Sequence, residues 1–185
     1  MKRRRWLGVS LALWAAAYGG HGSAQAPSLH PLGEAWQSLP LRGRALYRFW
    51  GLQIYEATLW LPAEAGTHWS SHRHVLSLLY HRDFSAQDIA QRSVQEIQRQ
   101  GPLAPNLATA WQQQLTAVLT DVRAGERLTA GYDPQRGLRL WHQAQSLKPL
   151  GQIEDLELAQ KFMGIWLSPA TSAPELRQAL LAVTS

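Results

Sequence analysis

The residues best suited to chemistry in this sequence are an arginine and a tyrosine in an aromatic stretch. Arg44 follows Arg42 closely, and Tyr55 lies in strand-like sequence a little further on. A guanidinium presents a rigid fork of N–H donors, and beside a phenol it suits a carboxylate or enolate oxygen. Such an arginine would have to point inward. The alternative is an exposed arginine at a strand end and a core tyrosine, and the residue pattern by itself favours that alternative.

A second candidate is the group of histidines His68, His72 and His74. On a strand, His72 and His74 would share a face and could hold a metal between them. No carboxylate lies within the group to complete a site, so we expect a solvated loop and no metal. The sequence has no Walker loop, no G-x-G-x-x-G and no G-x-S-x-G motif. We therefore expect no cofactor.

The amino terminus has the order of a signal peptide. A basic segment, residues 2–5, precedes an apolar run to about Tyr18, and small residues follow. That run is shorter than the roughly 20 residues needed to span a bilayer. Cleavage after Ala24 is favoured, because a cut after Ala26 would leave Pro27 directly behind the cleaved bond. We expect an exported, periplasmic protein; the alternative is an uncleaved anchor.

Removal of the signal peptide changes the charge of the chain. The whole sequence has 18 Lys and Arg against 13 Asp and Glu, a net charge of +5. Four of the bases and none of the acids fall in residues 1–24, so the mature chain carries +1. This balance disfavours a nucleic-acid partner. The absence of cysteine excludes disulfides and thiolate catalysis.

The apolar periodicity predicts one α+β domain with an antiparallel sheet, because no βαβ alternation is present. A lead-in over 25–38 precedes a domain over 39–185. Strands are predicted over 39–61, with a break near Gly51, over 75–81, and as a hairpin of 127–132 with 138–142. Helices are predicted over 85–101, 106–119, 154–167 and 176–183.

Four stretches in this order resemble the chalcone isomerase-like proteins. They are IYEATLWL (54–61) after the arginine-bearing strand, LLYHRDF (78–84), DVRAGERLTAGY (121–132), and FMGIWLS (162–168) with TSAPELR (171–177). Together they cover about residues 40–182. Glu126 stands where the family usually has Asp.

The resemblance implies an open-faced β-sandwich with a cleft between a curved sheet and a layer of helices. In the plant isomerases an arginine in that cleft steadies a phenolate, and in related plastid proteins an arginine and a tyrosine grip a fatty-acid carboxylate. Arg44 matches that arginine best, although Arg42 and Arg48 lie close to it. Tyr55 is nearer to the tyrosine of the fatty-acid binders, and Tyr80 neighbours the cleft. We assign the later Tyr, Asn and Thr site residues of the plant enzymes to no position in this sequence.

We therefore expect a binder of a small lipophilic or aromatic acid, with Arg44, Tyr55 and Tyr80 as ligand-binding residues. One alternative is an isomerase of the chalcone isomerase type, in which Arg44 and Tyr55 would be catalytic; we lean away from an enzyme. Another alternative is a packed interaction module without a ligand. No membrane span is expected after signal cleavage, and no protein partner is indicated.

Overall fold

The computed structural model describes residues 32–182, except for the side chains of residues 34 and 35. The predicted signal peptide, both candidate cleavage sites and residues 25–31 of the lead-in lie outside the described residues. The end of the last predicted helix, residue 183, also lies outside them. Within residues 32–182, no helix is both long enough and apolar enough to span a bilayer.

Six antiparallel strands form one open sheet in simple chain order. The strands are β1 Leu41–Phe49, β2 Leu52–Trp60, β3 His74–Tyr80, β4 Arg127–Asp133, β5 Gly137–Gln143 and β6 Leu147–Ile153. The helices are α1 Glu34–Gln37, α2 Ala86–Arg99, α3 Pro105–Val118, α4 Leu156–Leu167 and α5 Pro174–Leu181. The expected α+β class with an antiparallel sheet is confirmed.

Strand β6 was missing from the sequence prediction. Its segment contains Lys148, Pro149 and Gly151, residue types that are depleted in strands. The segment pairs with β5 at the end of the sheet, across a register shift between Leu140 and Trp141. An edge strand tolerates a proline because one of its sides needs no ladder hydrogen bond.

Alternation along the strands gives the sheet two faces. Ala45 pairs with Ala57, and Tyr47 pairs with Tyr55, which in turn pairs with Tyr80 on β3. These side chains belong to the main core that the sheet forms with the helices. We call this side the inner face and the opposite side the outer face.

The amino termini of helices α2 and α4 are each capped by a side chain. The Ser85 hydroxyl accepts the Asp88 N–H at the start of α2, where the sequence predicts that a helix begins. Asp155 accepts the Leu158 N–H with one carboxylate oxygen and the Trp111 indole N–H with the other, both at 3.0 Å. Asp155 therefore ties α3 to the first turn of α4.

Helix α5 lies directly on β1 because Gly43 has no side chain. A Cβ at this position would collide with the backbone carbonyls of Ala179 and Leu180. Next to it, the Arg42 Nε donates to the Leu181 carbonyl at 2.9 Å. A cation at the carboxyl end of a helix also complements the helix dipole. Gly43 and Arg42 thus set the position of α5 against the sheet.

On the outer face, the described part of the predicted lead-in packs against the sheet. Trp36 of α1 is buried and meets Trp141 edge-on, with ring centroids 6.3 Å apart. Trp60 and Val75 complete this second, smaller cluster. The described lead-in is therefore anchored by an aromatic contact.

Candidate functional site

A cavity of about 370 Å³ lies between the inner face of the sheet and helices α2, α4 and α5. Its walls are mainly aliphatic and aromatic. The inner face contributes Leu76, Leu78, Leu128, Ala130 and Leu140, and the helices contribute Ile89, Phe162, Ile165, Trp166 and Leu176. A volume of this size is within the range of small-molecule sites.

Four aromatic rings form a continuous row along one side of the cavity. Tyr47 stacks on Tyr55 at 5.0 Å, and Tyr80 meets Tyr55 edge-on at 5.9 Å. Phe84 extends the row from Tyr80 at 5.7 Å. The row follows the strand order because the three tyrosines are paired across β1, β2 and β3. The row gives the cavity an aromatic wall in which one ring pair is stacked and two pairs meet edge-on.

The surroundings of Tyr55 set the protonation state and the hydrogen bonding of its hydroxyl. It accepts the indole N–H of Trp166 at 3.0 Å. Burial raises the pKa of Tyr55 far above its ordinary value of 10, and burial likewise raises the pKa of Tyr80. Both groups are therefore neutral phenols at physiological pH. Since an indole only donates, the Tyr55 proton is left to donate to a bound oxygen.

The cationic group of the cavity lining is on α2. Among the described lining residues, Arg92 is the only Lys, Arg or His. Its Nη2 lies 2.6 Å from Oε1 of Glu96, a carboxylate that is 6% exposed, whereas the Arg92 side chain is 52% exposed. Arg99 approaches the other oxygen of Glu96 at 3.5 Å. One buried acid between two arginines leaves a local excess of one positive charge.

Two further polar residues of α2 line the cavity, Asp88 and Ser93. Asp88 accepts the Ser85 hydroxyl at 2.6 Å and lies in the first helical turn, where the dipole favours an acid. The Ser93 hydroxyl donates to the Ile89 carbonyl at 2.8 Å. Both groups are engaged within their own helix, so Arg92 and Tyr55 are the groups suited to orient a ligand.

The structure separates the predicted site residues. Tyr55 and Tyr80 line the cavity, but Arg44 does not. Arg44 alternates with Gly43 and Ala45, which face the helices, and so it lies on the outer face. There its Nε is 3.5 Å from Glu56 Oε1, with both side chains about a quarter exposed. A ligand-binding role would require Arg44 to point inward, whereas the strand register directs it away from the helices.

The two other arginines of β1 are also outside the cavity lining. Arg42 is engaged with the Leu181 carbonyl of α5 and with the Ala63 carbonyl, and Arg48 is exposed. Arg92 was missed by sequence reasoning. The sequence feature that indicates Arg92 is the helical spacing of α2, which places Arg92 on the same helix face as Ile89, Ser93 and Glu96.

His74 lies in the core rather than in a solvated loop. It is completely buried, between the rings of Trp69 and Tyr132. Its Nδ1 is 2.9 Å from the His72 carbonyl, and so carries the proton that is donated there. Desolvation lowers the pKa of His74 from 6.5 to about 4. Within residues 32–182 no group of three or more His, Cys, Asp or Glu side chains is placed to hold a metal.

Together these features describe an apolar compartment with a neutral hydrogen-bond donor in its wall and a guanidinium on its lining. Such a compartment can bind an apolar molecule that carries one polar or anionic group. With Tyr55 and Tyr80 neutral, neither phenol can act as a base at physiological pH.

Comparison with known proteins agrees with this fold. A fatty-acid binding protein of Arabidopsis thaliana has a similar structure, with a TM-score of 0.60 and 12% sequence identity. The likeness covers 78% of this chain and 87% of that protein. No curated protein matches this chain significantly. The family model described as chalcone isomerase-like matches residues 25–182. This chain therefore belongs to the chalcone isomerase-like family.

Proposed function

We propose that this protein is a non-catalytic binder of a small lipophilic acid, similar to a fatty acid, and that it acts in the periplasm. The observation that carries the proposal is the cavity of about 370 Å³ between sheet and helices. Its apolar walls suit an acyl chain. The fatty-acid binding activity of the Arabidopsis neighbour supports the same ligand class.

The polar groups are arranged to orient an acid. A guanidinium has five N–H donors, and Glu96 engages the Nη2 of Arg92. The remaining donors can meet a ligand carboxylate, and the Tyr55 hydroxyl adds a neutral donor.

Two alternatives fit the structure less well. A packed interaction module would have no space between sheet and helices, and the cavity is open space. An isomerase that stabilises a phenolate or enolate needs several preorganised donors around one oxygen. The proposed enzyme pair of Arg44 and Tyr55 lies on opposite faces of the sheet. An enzyme-dependent decay of hydroxychalcone absorbance would nevertheless support the isomerase over the binder.

The ligand class is tested with delipidated protein and two ligands of equal chain length, palmitoleic acid and palmitoleyl alcohol. We expect the acid to bind at least about tenfold more tightly, since a charge-assisted hydrogen bond contributes about 1.5–3 kcal/mol. The Arg92→Gln variant should lose this preference. Affinities are measured by displacement of a fluorescent fatty acid.

Arg99 is the matched control, because it also pairs with Glu96 but is not part of the cavity lining. Arg99→Gln should keep the preference for the acid. Equal binding of acid and alcohol by the unaltered protein would reject an acid as the ligand. Failure of both ligands to bind at micromolar concentration would reject the binding function.

Export is supported by the order of the amino-terminal sequence: basic residues 2–5, an apolar run, then small residues. The matched domain begins at residue 25, so it does not overlap the predicted signal peptide. We expect protein recovered from the periplasmic fraction to begin at Gln25 when its amino terminus is sequenced. Protein that retains residues 1–24 and fractionates with the cytoplasm would contradict export.

A further inference from the structure

The turn between β1 and β2 presents aromatic side chains to solvent. Trp50 is 90% exposed, and Phe49 and Leu52 are each 49% exposed. The rings of Phe49 and Trp50 stack at 5.9 Å. We call residues 49–52 the hairpin tip. Contiguous exposed apolar groups of this kind usually mark a site of interaction.

The backbone of the hairpin tip is unfavourable for its own sequence. Phe49 pairs with Leu52, and the two residues between them have positive φ, 51° at Trp50 and 79° at Gly51. A two-residue turn of this type prefers Asn-Gly, because both central residues need the left-handed region. A bulky tryptophan there is an outlier. At 90% exposure, Trp50 gains little from packing within the domain, and so its role lies outside it.

The hairpin tip adjoins the mouth of the cavity. Phe49 belongs to both, since it is half-exposed at the tip and also lines the cavity. Tyr47 and Ile54, on the two strands that lead to the tip, line the cavity as well. A surface that met the hairpin tip would therefore meet the opening through which a lipophilic ligand enters.

The charges near the hairpin tip suit an anionic surface. From Leu46 to Tyr55 the chain carries one charged residue, the exposed Arg48, and no acid. Arg82 is exposed at the same end of the sheet, where the N–H of its neighbour His81 donates to the Ile54 carbonyl. Asp83 is also there, with Oδ1 accepting the Ala124 N–H. Exposed aromatic rings beside arginine are the residue types that settle at a lipid–water interface.

We propose that the hairpin tip inserts into the interface of a bilayer containing anionic phospholipid, so that the lipophilic acid passes between the membrane and the cavity. The transfer step rests on the proposed binding function, whereas the membrane contact does not. A second copy of the chain is a poorer occupant. Strand β1 is an edge strand with Arg42, Arg44 and Arg48 along it, and charged edge strands oppose pairing between copies.

The test compares the unaltered protein with Trp50→Asn in flotation with vesicles of phosphatidylglycerol and phosphatidylcholine. Asparagine fits the left-handed turn position, so this variant should fold with equal or higher thermal stability. We expect its vesicle-bound fraction to fall at least fivefold. The control is Leu156→Ser, which removes an exposed apolar side chain outside the hairpin tip, on α4, and should bind vesicles normally. Fatty-acid affinity without vesicles should stay within twofold for Trp50→Asn, while its rate of fatty-acid uptake from vesicles falls.

Several results would overturn the proposal. One is failure of the unaltered protein to float with vesicles, and another is flotation of Trp50→Asn to the same extent as the unaltered protein. Leu156→Ser losing as much vesicle binding as Trp50→Asn, or a dimer in sedimentation that depends on Trp50, would contradict it equally. The proposal would also be overturned if Trp50→Asn lost affinity for fatty acid without vesicles, because Trp50 would then contribute to the cavity itself. Vesicle binding by a protein that takes up no fatty acid would support the membrane contact and reject the proposed ligand.

Discussion

Ser93→Phe is expected to abolish fatty-acid uptake while leaving the protein folded. Ser93 is buried on α2 and lines the cavity. A phenyl ring there would occupy a large part of a space of about 370 Å³. Overpacking of this kind costs about 1–3 kcal/mol of stability, which a domain of this size tolerates. We expect affinity for palmitoleic acid to fall at least about a hundredfold, measured by displacement of a fluorescent fatty acid.

Ser93→Ala is the matched control for this substitution. It removes the hydroxyl, whose hydrogen bond goes to the Ile89 carbonyl of the same helix, and leaves the cavity open. We expect its ligand affinity to stay within about twofold of the unaltered protein, because no ligand contact is lost. Circular dichroism should show that both variants keep their helices. Undiminished binding by a folded Ser93→Phe would place the ligand elsewhere on the protein.

The second large effect is a loss of stability in mild acid caused by His74. Desolvation holds the pKa of this histidine at about 4 in the folded protein, against 6.5 when unfolded. Between these values the unfolded chain binds more protons, so the free energy of unfolding falls as pH falls through this window. The linkage relation gives a loss of about 2 kcal/mol between pH 7.5 and pH 5.0. Urea unfolding at the two pH values measures it.

His74→Phe separates this effect from other titrations. The ring can keep its contacts with Trp69 and Tyr132 but has no proton to gain. The variant loses the hydrogen bond to the His72 carbonyl, so it starts from lower stability at pH 7.5. We expect its unfolding free energy to be nearly flat from pH 7.5 to pH 5.0. The same decrease in the variant and in the unaltered protein would exclude His74 as its cause.

Most of the secondary structure could be predicted because local patterns determine it. The switch from alternating to helical spacing after Phe84 marks the start of α2, and Ser85 is the cap that begins it. The break near Gly51 corresponds to the turn between β1 and β2. Strand β6 escaped prediction because its pairing with β5, and not its own residue types, makes it a strand.

The candidate site could be predicted only in part. Tyr55 and Tyr80 line the cavity, as the family resemblance implied, whereas the residue pattern by itself favoured a core tyrosine. Along β1 the arginines alternate with less polar residues, which indicates that the two sets lie on opposite faces of the strand. The arginines are Arg42, Arg44 and Arg48, and the residues between and beside them include Gly43, Ala45 and Tyr47. The family resemblance implied a cleft position for Arg44, whereas this alternation agrees with its position on the outer face.

Arg44 and Tyr55 therefore lie on opposite faces of the sheet. The sequence by itself determined most of the helices and strands and the antiparallel class, because these depend on residue type and local spacing. Only the tertiary structure decided which cation adjoins the cavity. That choice depends on how β1 pairs with β2 and on how α2 lies over the sheet, and both are set by contacts between residues far apart in the chain. Those contacts put Arg44 behind the sheet and Arg92 beside the cavity.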